Sequence, residues 1–332
     1  MAEHSIENEE LKIRVSDHGG ELVSLVKKET GQEYIWNADK AFWGRHAPVL
    51  FPIVGGLKEN IYRFGGREYR LGQHGFARDM EFELASKTEN EIWHRLVSNE
   101  ATRELYPFDF ELETGFRLFR NQVIVLWRVQ NRSEGEMYFS IGGHPAFLLP
   151  PQDGAAGGKE ADRQKEAAFP AGTSLKSGNG QEKKEDTLPD QGRYKLLFEG
   201  VSMLNTRMLE NGLACRRLEQ LELTRCDIGG KQYGAAAVTE HFFDRDAYII
   251  EGHQTREVAL AGTDGSLRLT VKFDAPLFGV WAPKGNAPFV CIEPWYGRCD
   301  GVDADQSLED KEYINRLEPG QVFSKNYRIC IY

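Results

Sequence analysis

Apolar and polar residues alternate over two consecutive stretches of this chain, and that period of two commits both to half-buried sheet. Phe108, Phe110, Leu112, Thr114, Phe116 and Leu118 interleave with Asp109, Glu111, Glu113, Gly115 and Arg117. After the turn-like Arg120-Asn121-Gln122 the pattern resumes at Val123, Val125, Trp127 and Val129. A helix would scatter these apolar side chains around its circumference, whereas a strand puts them on one face. The spacing predicts a hairpin. Further strands are predicted over Leu11–Val15, Glu21–Lys27, Glu33–Ile35, Met137–Ile141, Leu267–Phe273 and Val322–Ile331. Another is predicted over Tyr62–Arg67, where Gly65-Gly66 marks a tight hairpin turn. Met208–Leu221 reads as a short helix, weakened by Gly212.

Many strands, short turns and few helices define an all-β sandwich or barrel. Large all-β folds often exceed the usual domain length, so residues 1–332 are read as one domain. Pro150–Gln191 differs from the rest. It is rich in Gly, Ala, Lys, Glu, Asp and Gln and nearly free of bulky apolar residues, which predicts a solvated, flexible insertion and not a second core.

The formal net charge is -10. Nucleic acids and anionic membranes want a basic face, so neither is expected as a partner. No apolar run is long enough to span a bilayer, and the polar N-terminus lacks the basic-then-apolar pattern of a signal peptide. A cytoplasmic protein is expected. The five cysteines contain no Cys-x-x-Cys pair and read as reduced thiols.

Three segments carry residues suited to chemistry: Gln73-His74-Gly75-Phe76-Ala77-Arg78, Gly142-Gly143-His144-Pro145-Ala146-Phe147 and Cys291-Ile292-Glu293-Pro294-Trp295-Tyr296-Gly297. Pro145 must end or break a ladder, which lets His144 turn into a cleft. Glu293 follows the apolar strand Phe289–Ile292, so its carboxylate must be desolvated or well paired. Desolvation raises a carboxylate pKa and suits it to proton transfer. Arg78 carries a planar fork for anions or hydroxyls, or forms a surface pair with Asp79. His4 and His18 are expected to be exposed. His241 and His253 flank Asp246, but no His-x-His or His-x-x-x-His spacing supports a metal site. The chain has no Gly-x-Ser-x-Gly elbow, no P-loop and no Gly-x-Gly-x-x-Gly after a strand, so no nucleotide cofactor is indicated.

Together with Trp43-Gly44-Arg45-His46-Ala47-Pro48-Val49-Leu50-Phe51-Pro52-Ile53-Val54-Gly55 and Tyr106-Pro107-Phe108, these segments resemble the aldose 1-epimerase (galactose mutarotase-like) family, in its LacX-like branch. They run in the family's order along nearly the whole chain. The resemblance implies a large antiparallel β-supersandwich with a sugar in an open groove. It also implies a cofactor-free, metal-free interconversion of the α and β anomers of an aldose. By resemblance, Glu293 is the general base at the C1 hydroxyl and His144 the general acid at the ring oxygen. His74, Arg78, Asp246, Arg45 and Trp295 are the implied substrate-binding residues.

One departure is Gly56, where many relatives carry an arginine expected to touch sugar; Arg45, Lys58 or Arg78 are the available substitutes. Gly56 motivates an alternative, a catalytically impaired sugar-binding or regulatory protein on the same scaffold. A related branch acts on hexose 6-phosphates, which would require Arg45, Lys58, Arg63, Arg78 and Arg103 to gather. A glycoside hydrolase would instead pair Asp246 with Glu293 and leave the histidines idle.

Overall fold

The computed structural model describes residues 2–149 and 193–332, so the predicted insertion at 150–191 lies outside the described residues. The main body is a ten-stranded antiparallel sheet facing an eight-stranded one. The alternating hairpin lies in the larger sheet as Phe110–Phe119 and Gln122–Asn131, with Phe119 opposite Gln122 and Arg120 at φ +52 in the turn. Phe110, Leu112, Phe116 and Leu118 are buried, as the period of two requires. Each fully buried phenylalanine side chain contributes about 1.5–3 kcal/mol relative to an exposed one. Trp127, Phe139, Phe147, Phe198, Phe278 and Phe289 belong to the main core cluster, which takes side chains from both sheets. A four-stranded sheet, Glu3–Glu7, Leu11–Ser16, Glu21–Lys27 and Gln32–Glu33, lies beside them.

The expected Gly65-Gly66 turn closes a hairpin of Ile61–Phe64 and Arg67–Arg70, both glycines having positive φ. The short helix expected at Met208–Leu221 is instead a hairpin of Met203–Glu210 and Leu213–Glu222. The cause is local: Asn211 and Gly212 both take positive φ, the conformation of a type I′ turn, and Asn-Gly is a strong hairpin signal. Of Glu33–Ile35 only Glu33 lies in a strand, Gln32–Glu33, and the region of Met137–Ile141 divides into Met137–Phe139 and Ile141–Gly143. Among the described residues the helices are Glu100–Leu105 and two single 3-10 turns. Glu100–Leu105 starts at an Asn99–Thr102 capping box. No helix among them is long and apolar enough to cross a membrane.

Candidate active site

The strand Phe289–Tyr296 runs through the middle of the eight-stranded sheet and changes partner halfway. Its first half pairs with Ala146–Leu148 and its second half with Ile141–Gly143. Between them His144 and Pro145 interrupt the ladder, and Pro294, which has no N–H to give, occupies the matching break. Gly142–Trp295 and Ala146–Cys291 belong to one register, so the interruption sets His144 opposite Glu293. His144 Nε2 lies 3.3 Å from Glu293 Oε2. The strand continues past Glu293 instead of ending before it, and the carboxyl is buried within the sheet.

Burial drives the two groups in opposite directions. The Glu293 carboxyl is pushed well above the usual carboxylate range by desolvation, which outweighs the downward pull of the Trp295 indole, and the charge of Asp246 adds a smaller push upward. The Trp295 N–H is not aligned for a hydrogen bond. The His144 imidazole is driven down to about 3 by desolvation, with further lowering from Arg78 and Arg45. A backbone hydrogen bond at His144 opposes this. Both directions favour the uncharged partner, so the pair shares a single proton across a wide pH range.

His74 stands edge-on to His144, ring centroids 5.5 Å apart. The Gly55 N–H donates to His74 Nδ1 at 3.0 Å, which makes Nε2 the ring's N–H donor. Burial and the neighbouring His144, Arg78 and Arg45 hold His74 well below the usual imidazole range, in keeping with that neutral tautomer. His74 takes φ +68 and Gly75 φ +69, and this bend turns the ring inward while Phe76 N–H bonds to Phe51 O. Arg78 Nη2 donates to Gln73 O at 2.7 Å, while its buried Nε makes no hydrogen bond and lies 3.8 Å from Asp79 Oδ2, an ion pair with the neighbouring residue. Burial and the like charge of Arg45 lower the Arg78 guanidinium to about 10. Arg45 donates to Asp79 at 2.8 Å, and its loop is tied down by Glu21, which accepts from the backbone N–H groups of His46 and Ala47.

His74, Arg78, Arg45, His144, Asp246, Glu293 and Trp295 all line one pocket of about 460 Å³. Asp246 stands at its exposed rim at φ +81, ahead of the strand Tyr248–Glu251. Lys58, a proposed stand-in for the missing arginine, instead reaches Ala304 O at 3.1 Å and does not line the pocket. Arg63 turns to Asp305 O and Arg103 to Asp109, so of the five cations only Arg45 and Arg78 gather here. Gly56 does not itself line the pocket, and a Cβ there would meet only the O of Gly212, a pocket residue, at 3.6 Å.

Sequence reasoning missed three contributors. Trp43 stacks on His144 at 4.8 Å, and Trp281 stands edge-on to the same ring at 5.7 Å. The turn misread as helix supplies Leu209 and Gly212 to the pocket. The Asn-Gly pair was the signal available for the turn; Trp43 adjoins Arg45 but carries no local mark of its contact with His144. His4, expected at the surface, is half-buried with Nε2 2.9 Å from Asp17 Oδ1.

Two glycines make room for the Trp295 indole: a Cβ on Gly142 would lie 2.5 Å from its Cδ1, and one on Gly279 would lie 2.7 Å from its Cη2. Gly142→Ala is therefore expected to cost about 1–3 kcal/mol through overpacking, read by urea denaturation with a change in tryptophan emission. Unchanged stability would show that the indole is free to move.

The geometry defines a class: a β-supersandwich whose groove holds an imidazole and a carboxyl in contact among aromatic walls. The aldose 1-epimerase profile matches residues 3–187, and the chain belongs to that family. It is 29% identical to the chromosomal protein LacX of Lactococcus lactis subsp. lactis, over 98% of each chain. It is 33% identical to a galactose mutarotase related enzyme from Lactobacillus acidophilus, with a TM-score of 0.78 over 100% of this chain and 97% of that one. A galactose mutarotase-like protein from Lactobacillus casei, 24% identical, shares the fold over the full length of both chains, also at TM-score 0.78.

Proposed function

We propose that this protein is an aldose 1-epimerase that interconverts the α and β anomers of a hexose through the His144–Glu293 pair. The observation that carries the reading is the 3.3 Å contact between His144 Nε2 and Glu293 Oε2 at the centre of a sugar-sized, aromatic-walled pocket. Glu293 takes the proton of the C1 hydroxyl. The C1–O5 bond breaks, its electron pair goes to O5, and O5 takes a proton from His144. The pair begins as carboxylate and imidazolium and ends as carboxylic acid and imidazole, so it carries one proton throughout. Rotation about C1–C2 presents the other aldehyde face, and the steps reverse. Burial favours the uncharged pair at rest and again when the ring is open, so the reactive carboxylate–imidazolium form arises by transfer of the shared proton from Glu293 to His144 before opening. His74 Nε2–H, Arg78, Arg45 and Asp246 hold sugar oxygens, and Trp295, Trp43 and Trp281 flank the ring.

Polarimetry on freshly dissolved hexoses tests the reading; no acceleration for any sugar would refute it. The pH profile is a sharper check. A second proton on the pair would halt the reaction, and His144 resists it down to about 3. Activity should therefore stay level from about pH 7.5 to about pH 5, through the range where an ordinary imidazole titrates near 6.5. It should fall on the alkaline side, where the raised Glu293 carboxyl loses the shared proton. A fall centred near pH 6.5 would contradict this.

A second reading, a hexose 6-phosphate as substrate, is favoured by Arg45 and Arg78 at one pocket wall, since an anion between them would relieve their repulsion. Mutarotation rates for each hexose against its 6-phosphate separate the two.

A further inference from the structure

We infer that His4, Asp17 and His94 form a binding site for a divalent transition-metal ion of the zinc type, separate from the sugar pocket. The three residues come from different places in the chain: the strand Glu3–Glu7, the turn after Leu11–Ser16, and the strand Glu91–Val97. His4 Nε2 lies 2.9 Å and His94 Nε2 3.2 Å from the same oxygen, Asp17 Oδ1. One ligand atom from each residue falls within 4.8 Å of the others. Zinc bonds of about 2.0–2.1 Å in a tetrahedron set adjacent ligands roughly 3.3 Å apart, so small side-chain rotations would admit the ion. None of the three lines the sugar pocket, and the inference is independent of the sugar reading.

His94 supplies the second observation. It is wholly buried, and neither ring nitrogen makes a hydrogen bond, the approach to Asp17 being close but misaligned. Buried polar groups are seldom left so, and an ion beside Asp17 Oδ1 would use the His94 Nε2 lone pair. Two neutral imidazoles and one carboxylate suit zinc, nickel or cobalt better than magnesium or calcium, which prefer oxygen ligands. His4 and Asp17 remain about one-fifth exposed, which gives the ion a way in and leaves a position for water. A bound ion would cross-link the first strand to the Asp17–Gly20 turn. That turn is already bonded to the segment after Arg78 through Gly19 N–H to Met80 O and Phe82 N–H to Asp17 O.

The test uses the full chain without a histidine tag, stripped by chelator and titrated with zinc by calorimetry and with cobalt by absorption. One saturable equivalent is expected, with a Tm that rises with added zinc. His4→Ala and Asp17→Asn should each weaken binding by about 10–100-fold or more and remove the Tm rise. Glu293→Gln should leave binding unchanged; it is the necessary control because His144, Cys291 and Glu293 also cluster within 4.8 Å. No saturable binding would overturn the site. So would binding that survives His4→Ala and disappears with Glu293→Gln, or a thiolate-to-cobalt band marking Cys291.

Discussion

Glu293→Gln is expected to reduce mutarotation by about 10²–10⁴-fold, the usual worth of one positioned acid or base, while the protein stays folded. Glutamine keeps the shape of the side chain in the sheet but cannot take the C1 hydroxyl proton. His144→Ala should lose a comparable factor, and the double variant should lose little more, because the two groups pass one proton between them. Polarimetry measures all three. Near-normal rates in any of them would remove the pair from the mechanism. Stability should move the other way. The folded-state pKa of Glu293 is raised, so wild-type stability is fully present below the ordinary carboxylate range and is lost as pH rises through the folded value. The glutamine variant lacks that loss. Its Tm relative to wild type should thus increase from about pH 5 to about pH 8.

Gly75→Ala is expected to destabilise by about 2–5 kcal/mol. Two costs add: an L residue at φ +69, about 1–2 kcal/mol, and a steric conflict of about 1–3 kcal/mol. The conflict is severe because the new Cβ would lie 2.3 Å from Phe51 O and 2.6 Å from Phe51 C. That carbonyl cannot withdraw cheaply, since it accepts from both Phe76 and Ala77 at 3.1 Å. Gly66→Ala is the matched control: φ is +75, and nothing lies within 4 Å of the added atom. It should cost about 1–2 kcal/mol, the conformational part alone. Equal losses in urea denaturation would show that packing at Phe51 is not the cause. Because His74 is the adjoining residue, Gly75→Ala should also lower the mutarotation rate, whereas Gly66→Ala should not.

The strands were legible wherever one face is buried. Phe110–Phe119 and Leu267–Phe273 alternate because the core takes one side and water the other. Met203–Glu222 was misread because its strands lie largely at the surface, where an interrupted apolar pattern fits a helix equally well. Only the positive φ of Asn211 and Gly212 separates the two. The residues of the pocket were recognisable individually, from glycine-flanked histidines, an isolated glutamate after an apolar run, and the family pattern that joins them. Trp43 and Trp281 were not, since a tryptophan in or near a strand looks the same whether it packs in the core or against an imidazole that lines a pocket. His4 and His94 likewise stand more than a quarter of the chain apart, and no metal-binding spacing relates them.

By itself the sequence determined an all-β chain, the family to which it belongs, and the residues able to carry acid–base chemistry, because these depend on local periodicity and on side-chain type. Tertiary structure alone decided which of them meet. His144 and Glu293 face each other because one central strand takes two partners in a single register and both ladders break at the same level. Their opposite pKa displacements follow from burial within that sheet, and burial is a property of the packed molecule that no short segment contains.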